Sequence, residues 1–317
     1  MSRIFDALQR SQGDDPQRKP AMPVHSVAPE MLAPPAKQAA VDAPLSHGAM
    51  PGTTVAHSNG DWLSVPPERV LHPRPTPEQR LITLTNHNSQ GAEMFRVLST
   101  RLAHMKDKRQ LQKLLVSSAV GDEGKSVVAV NLAVALSQRP GERVLLMEAD
   151  LRRPTAGALL SPKPTVGIAE WHEGKLAIQD ALYQVEDRPL WFLSAGKGLS
   201  EPLPILESLE FANLLETVST HFDWVVLDCT PMLPMADAAS LARQCDGVLV
   251  VVREGHTRRK VLNKALESID RKKLLGVVFN EAASLQLSYD RYYGHYGYGH
   301  KKNGATGGED KGKAATA

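Results

Sequence analysis

A lysine and a serine behind two glycines, with aspartates further along the chain, are residue types that handle phosphate. Residues 119–126 read Ala-Val-Gly-Asp-Glu-Gly-Lys-Ser, between the apolar run Leu114-Leu115-Val116 and a helical pattern beginning near Val127. A glycine-rich turn joining a strand to a helix lets main-chain N–H groups surround a polyphosphate, and the helix N-terminus adds positive potential. Such a loop would place Gly121, Asp122, Glu123, Gly124, Lys125, Ser126 and Val127 around the phosphates. Lys125 would reach the outer ones and the Ser126 hydroxyl would ligate Mg²⁺. The usual first glycine of the eight-residue pattern is Ala119, so the match rests on Gly121, Gly124, Lys125, Ser126 and the strand-loop-helix setting. Nucleotide binding follows.

Two acidic clusters stand after other apolar runs. The run at 144–147 leads into Glu148, Asp150, Arg152 and Arg153, and the run at 224–227 leads into Asp228 and then Asp237. A Mg²⁺ ion that bridges phosphates needs hard oxygen ligands, and a strand-terminal carboxylate is the usual source. Asp150 and Asp228 are therefore expected beside Ser126, while Asp237 also reads as an ordinary helix cap.

These residues need a scaffold to bring them together. From Leu111 onward, short aliphatic runs at 114–118, 144–147, 190–193, 224–227, 248–252 and 275–279 alternate with helical patterns at 125–138, 205–220, 236–243 and 257–269. Helical turns are expected near 168–184. The alternation predicts an α/β fold, doubly wound, whose mostly parallel sheet carries helices on both faces. Its ligand would sit beyond the strand C-termini.

Composition divides the 317-residue chain further. Thirteen of its 22 prolines fall before residue 80, in a stretch rich in Ala, Gln, Ser and His that lacks the apolar surface to offset ordering entropy. The reading is a short amphipathic helix over 1–12 with Ile4, Phe5 and Leu8 on one face, a Pro-rich disordered linker over 13–80, a P-loop domain over 81–286 and a flexible tail over 287–317. The helix would suit a partner, the chain's own core or a membrane surface. A formal charge of +2 gives no strong field for nucleic acid. No apolar run has the length of a bilayer span and the first residues lack a signal-peptide stretch, so a cytoplasmic protein is expected. Cys229 and Cys245 fit no metal or redox spacing and read as free thiols.

The motif set resembles the catalytic domain of the bacterial tyrosine kinases (BY-kinases) of capsular and exopolysaccharide biosynthesis. The likeness covers about residues 85–300: the phosphate loop at 119–126, an apolar run ending in Glu148-Ala149-Asp150-Leu151-Arg152 where the family has Asp-x-Asp-x-Arg, a run ending in Asp228, the run at 246–253, and a final run ending in Asn280, where the family places an adenine contact. It implies a P-loop NTPase fold of the MinD-like (SIMIBI) class and a protein-tyrosine autokinase that uses ATP and Mg²⁺ to regulate polysaccharide polymerisation and export. It also implies autophosphorylation between neighbouring subunits in a C-terminal tyrosine cluster, and five of the six tyrosines here are Tyr289, Tyr292, Tyr293, Tyr296 and Tyr298. A sticky low-complexity segment, or metal binding through His295 and His300, is the rival reading of that stretch.

The resemblance assigns roles as well. Lys125 and the loop amides hold the outer phosphates, Ser126, Asp150 and Asp228 organise Mg²⁺, and Glu148 or Asp150 receives the proton of a phenol whose pKa is about 10. Arg152 stabilises charge or meets another subunit. Implied partners are a membrane polysaccharide co-polymerase of the chain-length-determinant kind as activator, a cognate protein-tyrosine phosphatase and further copies of the chain, with recruitment to the inner face of the plasma membrane. Two departures stand out: Glu148 replaces the first Asp of the motif, and the family's Glu-x-x-Arg-x-x-Arg ring helix becomes Glu93, Arg96 and Ser99, with Arg101 displaced. Two other classes stay open, a ParA/MinD-like positioning ATPase and a catalytically weak scaffold switched by nucleotide. The former carries an extra loop lysine where this chain has Val120.

Overall fold

The computed structural model describes residues 62–160 and 164–282. The expected helix over 1–12, most of the expected linker and the segment bearing Tyr289, Tyr292, Tyr293, Tyr296 and Tyr298 lie outside the described residues. In chain order the strands are β1 (Val70–Leu71), β2 (Lys113–Ser118), β3 (Val144–Glu148), β4 (Leu182–Val185), β5 (Leu190–Leu193), β6 (Trp224–Asp228), β7 (Gly247–Arg253) and β8 (Leu274–Asn280). They form one sheet in the order β1-β4-β5-β3-β6-β2-β7-β8, parallel at every junction except β4 with β5. Unbroken aliphatic runs such as Val-Leu-Leu-Met in β3 need cover on both faces, which is why they occupy the centre.

The helices are α1 (Ile82–Thr85), α2 (Gln90–Lys106), α3 (Lys125–Ser137), α4 (Ala156–Leu159), α5 (Ile168–His172), α6 (Leu203–Leu206), α7 (Leu209–His221), α8 (Asp237–Gln244) and α9 (Arg259–Leu266). Alternate residues of each central strand feed opposite layers. Leu114, Val116, Leu146 and Val226 pack with Leu102 of α2 and Val128, Leu132 and Leu136 of α3. On the other face, Leu115, Leu145, Met147 and Leu227 pack with Phe211, Leu215 and Val218 of α7 and Leu241 of α8. The central helix α3 is buried along its whole length apart from Lys125 and Val127. Its one buried amide, Asn131, accepts from Thr83 N (3.0 Å) and Thr83 Oγ1 (2.8 Å) and donates to Arg80 O (3.0 Å) and Val127 O (2.9 Å).

Two expectations need correction. The helical turns expected near 168–184 stop at Ala181, and Leu182–Val185 is a strand antiparallel to β5. Three of its four side chains are buried, and a hairpin through Asp187, at φ 57°, returns the chain to Leu190. The folded body also begins before residue 81. Within the stretch assigned to the linker, Val70 and Leu71 pair with Gln184 and Val185, Leu71 is buried, and Trp62 stacks on His221 at 4.5 Å between ring centroids. Proline suits such an edge segment, which needs ladder donors on one side only.

Candidate active site

The loop between β2 and α3 bends through Asp122 at φ 60° and Gly124 at φ 81°. Glycine is favoured at 124 on two counts: the left-handed conformation, and the Asn280 Nδ2 atom that a Cβ there would push out of place. As the residue preceding α3 it supplies no side-chain cap, so the first amides of the helix stay open for an anion. Glu123 turns inward and is buried. Its Oε2 accepts from Val120 N at 3.1 Å, and its main-chain carbonyl accepts from Asn280 Nδ2 at 3.0 Å. Burial pushes the Glu123 carboxyl above its usual range, although main-chain donors at Val120, Ala119 and Arg253 pull it back. Asn280, at the end of β8, thus acts here as a latch on the phosphate loop.

The acidic side comes from β3 and β6, adjacent in the sheet with Glu148 opposite Asp228. Lys125 Nζ lies 3.1 Å from Asp150 Oδ2 and donates to Ser126 Oγ at 3.3 Å. Burial alone would lower the lysine pKa, but Asp228 and Asp150 more than offset it and keep the ammonium charged. Asp150 Oδ1 accepts from Arg153 N at 3.0 Å. Asp228 is fully buried, and neither of its oxygens has a hydrogen-bond partner. Desolvation lifts its pKa to about 6, against the pull of Lys125 and the Ser126 hydroxyl, while Glu148 and Asp150 add to the rise.

A buried carboxylate without donors, beside a serine hydroxyl and a second carboxylate, is a set of hard oxygens suited to Mg²⁺. The described residues contain no cluster of three or more His, Cys, Asp or Glu that holds a metal by itself.

Glu148 does not join this group. Its Oε1 accepts from Gly157 N (3.0 Å), and its Oε2 from Ala195 N (3.2 Å) and Ser194 Oγ (3.3 Å), so both oxygens are engaged in joining the loops after β3 and β5. Arg152 is also committed: its guanidinium grips the buried Asp237 at 2.7 and 3.2 Å and donates to Ser200 O at 2.9 Å. Asp237 is accordingly an ion-pair partner at the first turn of α8 rather than a cap. Cys229 and Cys245 are buried free thiols. Ser99 is buried within α2 and donates to Arg96 O (2.9 Å), while Arg96 pairs with Glu93 on the same helix. The sequence pattern passed over Thr155, whose Oγ1 is 2.8 Å from Ser126 Oγ. The one available signal was its position directly after Arg152-Arg153-Pro154.

A family profile described as an AAA domain matches residues 112–274. The tyrosine-protein kinase YwqD of Bacillus subtilis (strain 168) is 32% identical over 222 residues, covering 69% of this chain and 92% of the relative. The succinoglycan biosynthesis transport protein ExoP of Rhizobium meliloti (strain 1021) is 32% identical over 234 residues, or 71% of this chain, which spans only 30% of ExoP. Among solved structures, the kinase domain of Escherichia coli tyrosine kinase ETK superposes with a TM-score of 0.60 at 25% identity, over 63% of this chain and 79% of that one.

Proposed function

The chain belongs to the family of bacterial tyrosine kinases of capsule and exopolysaccharide biosynthesis, and from that premise we propose that it moves the γ-phosphoryl group of ATP onto tyrosines of its own C-terminal segment. The observation that carries the reading is the meeting of Lys125, Ser126, Asp150 and Asp228 at the ends of three adjacent strands. Phosphoryl transfer runs through a loose transition state, so position and charge neutralisation matter more than nucleophile strength. The loop amides and Lys125 hold the outer phosphates. Ser126, Asp150 and Asp228 hold Mg²⁺, which when bound offsets charge on the transferring group. Asp150, rather than the fully engaged Glu148, accepts the phenol proton, and it is released for that task when Lys125 turns from it to phosphate. Arg152 serves through Asp237 by fixing the loop that carries Asp150.

The positioning-ATPase alternative loses its ground, because relatives that cover most of the domain are tyrosine kinases. No helix among the described residues is long and apolar enough to cross a membrane. Action beside a membrane co-polymerase that activates the kinase, recruitment to the inner membrane face, reversal by a phosphatase and self-association belong to this proposal. Burial of Ser99 and the Glu93–Arg96 pair inside one helix argue for a subunit contact other than the family's arginine helix.

The test is incubation of the full chain with Mg²⁺ and ATP, with and without the cytoplasmic segment of a membrane polysaccharide co-polymerase from the same source, followed by tryptic mass spectrometry. Phosphate on Tyr289, Tyr292, Tyr293, Tyr296 and Tyr298, lost in Lys125→Met, is the expected result. Phosphotyrosine that persists in Lys125→Met, or that maps elsewhere, overturns the assignment. Nucleotide-dependent binding of the partner without any phosphotyrosine would establish the scaffold instead.

A further inference from the structure

Thr155 occupies the residue before α4, a place where threonine ordinarily caps the helix, yet its side chain makes no capping bond. It is exposed, so packing does not account for it. Its hydroxyl instead meets Ser126 Oγ at 2.8 Å, across 29 residues of sequence. The loop that presents it is pinned on both sides: Arg152 to Asp237 and Ser200 O, Leu199 N to Leu151 O at 2.7 Å, and Gly157 N to Glu148. Such anchoring fixes the place of the main chain that carries the hydroxyl.

We propose that Thr155 is a positioning residue for the cation site, holding the Ser126 hydroxyl with its lone pair toward the metal. A serine oxygen has one proton and two lone pairs. When one lone pair faces a cation, the proton needs an acceptor on the other side. Lys125 is itself a donor to Ser126 Oγ, and although the Asp228 carboxylate also faces this hydroxyl, Thr155 Oγ1 at 2.8 Å is the oxygen that makes a hydrogen bond with it and can take its proton. Mg²⁺ tolerates little departure from octahedral geometry, so a hydroxyl free to rotate is a poorer ligand than one held still. This inference rests on the nucleotide-binding reading above and extends it to a residue outside the phosphate loop.

Calorimetric titration of the full chain with ADP, in Mg²⁺ and in EDTA, tests it on the wild type and on Thr155→Ala, Thr155→Val and Thr155→Ser. The expected result is that Ala and Val each lose on the order of fivefold of the Mg²⁺-promoted tightening of ADP, the worth of one polar contact, while Ser retains it. ADP affinity in EDTA is expected to be equal in all four. The Mg²⁺ concentration for half-maximal phosphotyrosine formation should rise by the same factor in Ala and Val. Unchanged tightening in Thr155→Ala, an equal loss in Thr155→Ser, or a parallel loss in EDTA overturns the role. A wild type whose ADP affinity ignores Mg²⁺ overturns the nucleotide reading together with it.

Discussion

A carboxylate that makes no hydrogen bond is costly to bury, and Asp228 makes none through either side-chain oxygen. Its folded pKa of about 6 lies above the ordinary aspartate value of 3.8, so between those values the folded protein binds the proton that the unfolded chain has released. Stability from this group is therefore present at low pH and is lost as pH rises through about 6, at a cost of roughly 3 kcal/mol. In EDTA, Asp228→Asn is expected to raise the thermal midpoint at pH 8 and to leave it nearly unchanged at pH 4. A wild-type-to-variant difference that stays flat across that range would refute the account. Lys125, Ser126, Asp150 and Asp228 were legible in the sequence because their types and their places after apolar runs already state a chemistry. The engagement of Glu148 with Gly157 and Ala195, and of Thr155 with Ser126, was not, since the partners are set by the paths of loops, the second and third of them 47 and 29 residues away in sequence.

Among the elements, α3 shows why a buried helix is readable in existence yet opaque in role. It is apolar on every side, so no stripe marks which neighbour it meets, and Asn131 passes for a chance polar residue. In the fold Asn131 ties α3 to Arg80 and Thr83, the segment leading into α2. Asn131→Ala strands the Thr83 amide and hydroxyl and the Arg80 carbonyl, and is expected to cost about 2–4 kcal/mol in denaturant unfolding. A loss below about 0.5 kcal/mol, the size of an ordinary surface substitution, would contradict that role. Strand β4 was missed for a related reason. Its four residues carry too short a pattern to separate strand from helix, and its neighbour on one side, β1, lies in a proline-rich stretch that reads as linker.

At the scale of the whole molecule, the sheet's outer border at β1 decides where the domain begins. A chain cut to start at residue 81 would lose the pairing of Val70 and Leu71 with β4, the Arg69–Asp180 ion pair and the Trp62–His221 stack. Uncovering Leu71 alone costs about 2 kcal/mol, and the bared edge of β4 would offer unpaired main-chain groups to other chains. Lower thermal stability and aggregation on size-exclusion chromatography are expected relative to a chain starting at residue 55. Equal behaviour of the two would make the strap dispensable.

At the opposite border, Asn280 ends the last strand while touching the phosphate loop. Whatever path the following residues take, a fully stretched backbone carries Tyr289 no further than roughly 32 Å from that point and Tyr298 no further than roughly 65 Å. Those lengths act as a tether. If phosphate passes between copies as proposed, a second copy whose pocket sits beyond the longer one can receive none of the five phenols, so the spacing between subunits would limit which tyrosines one kinase could offer to the next.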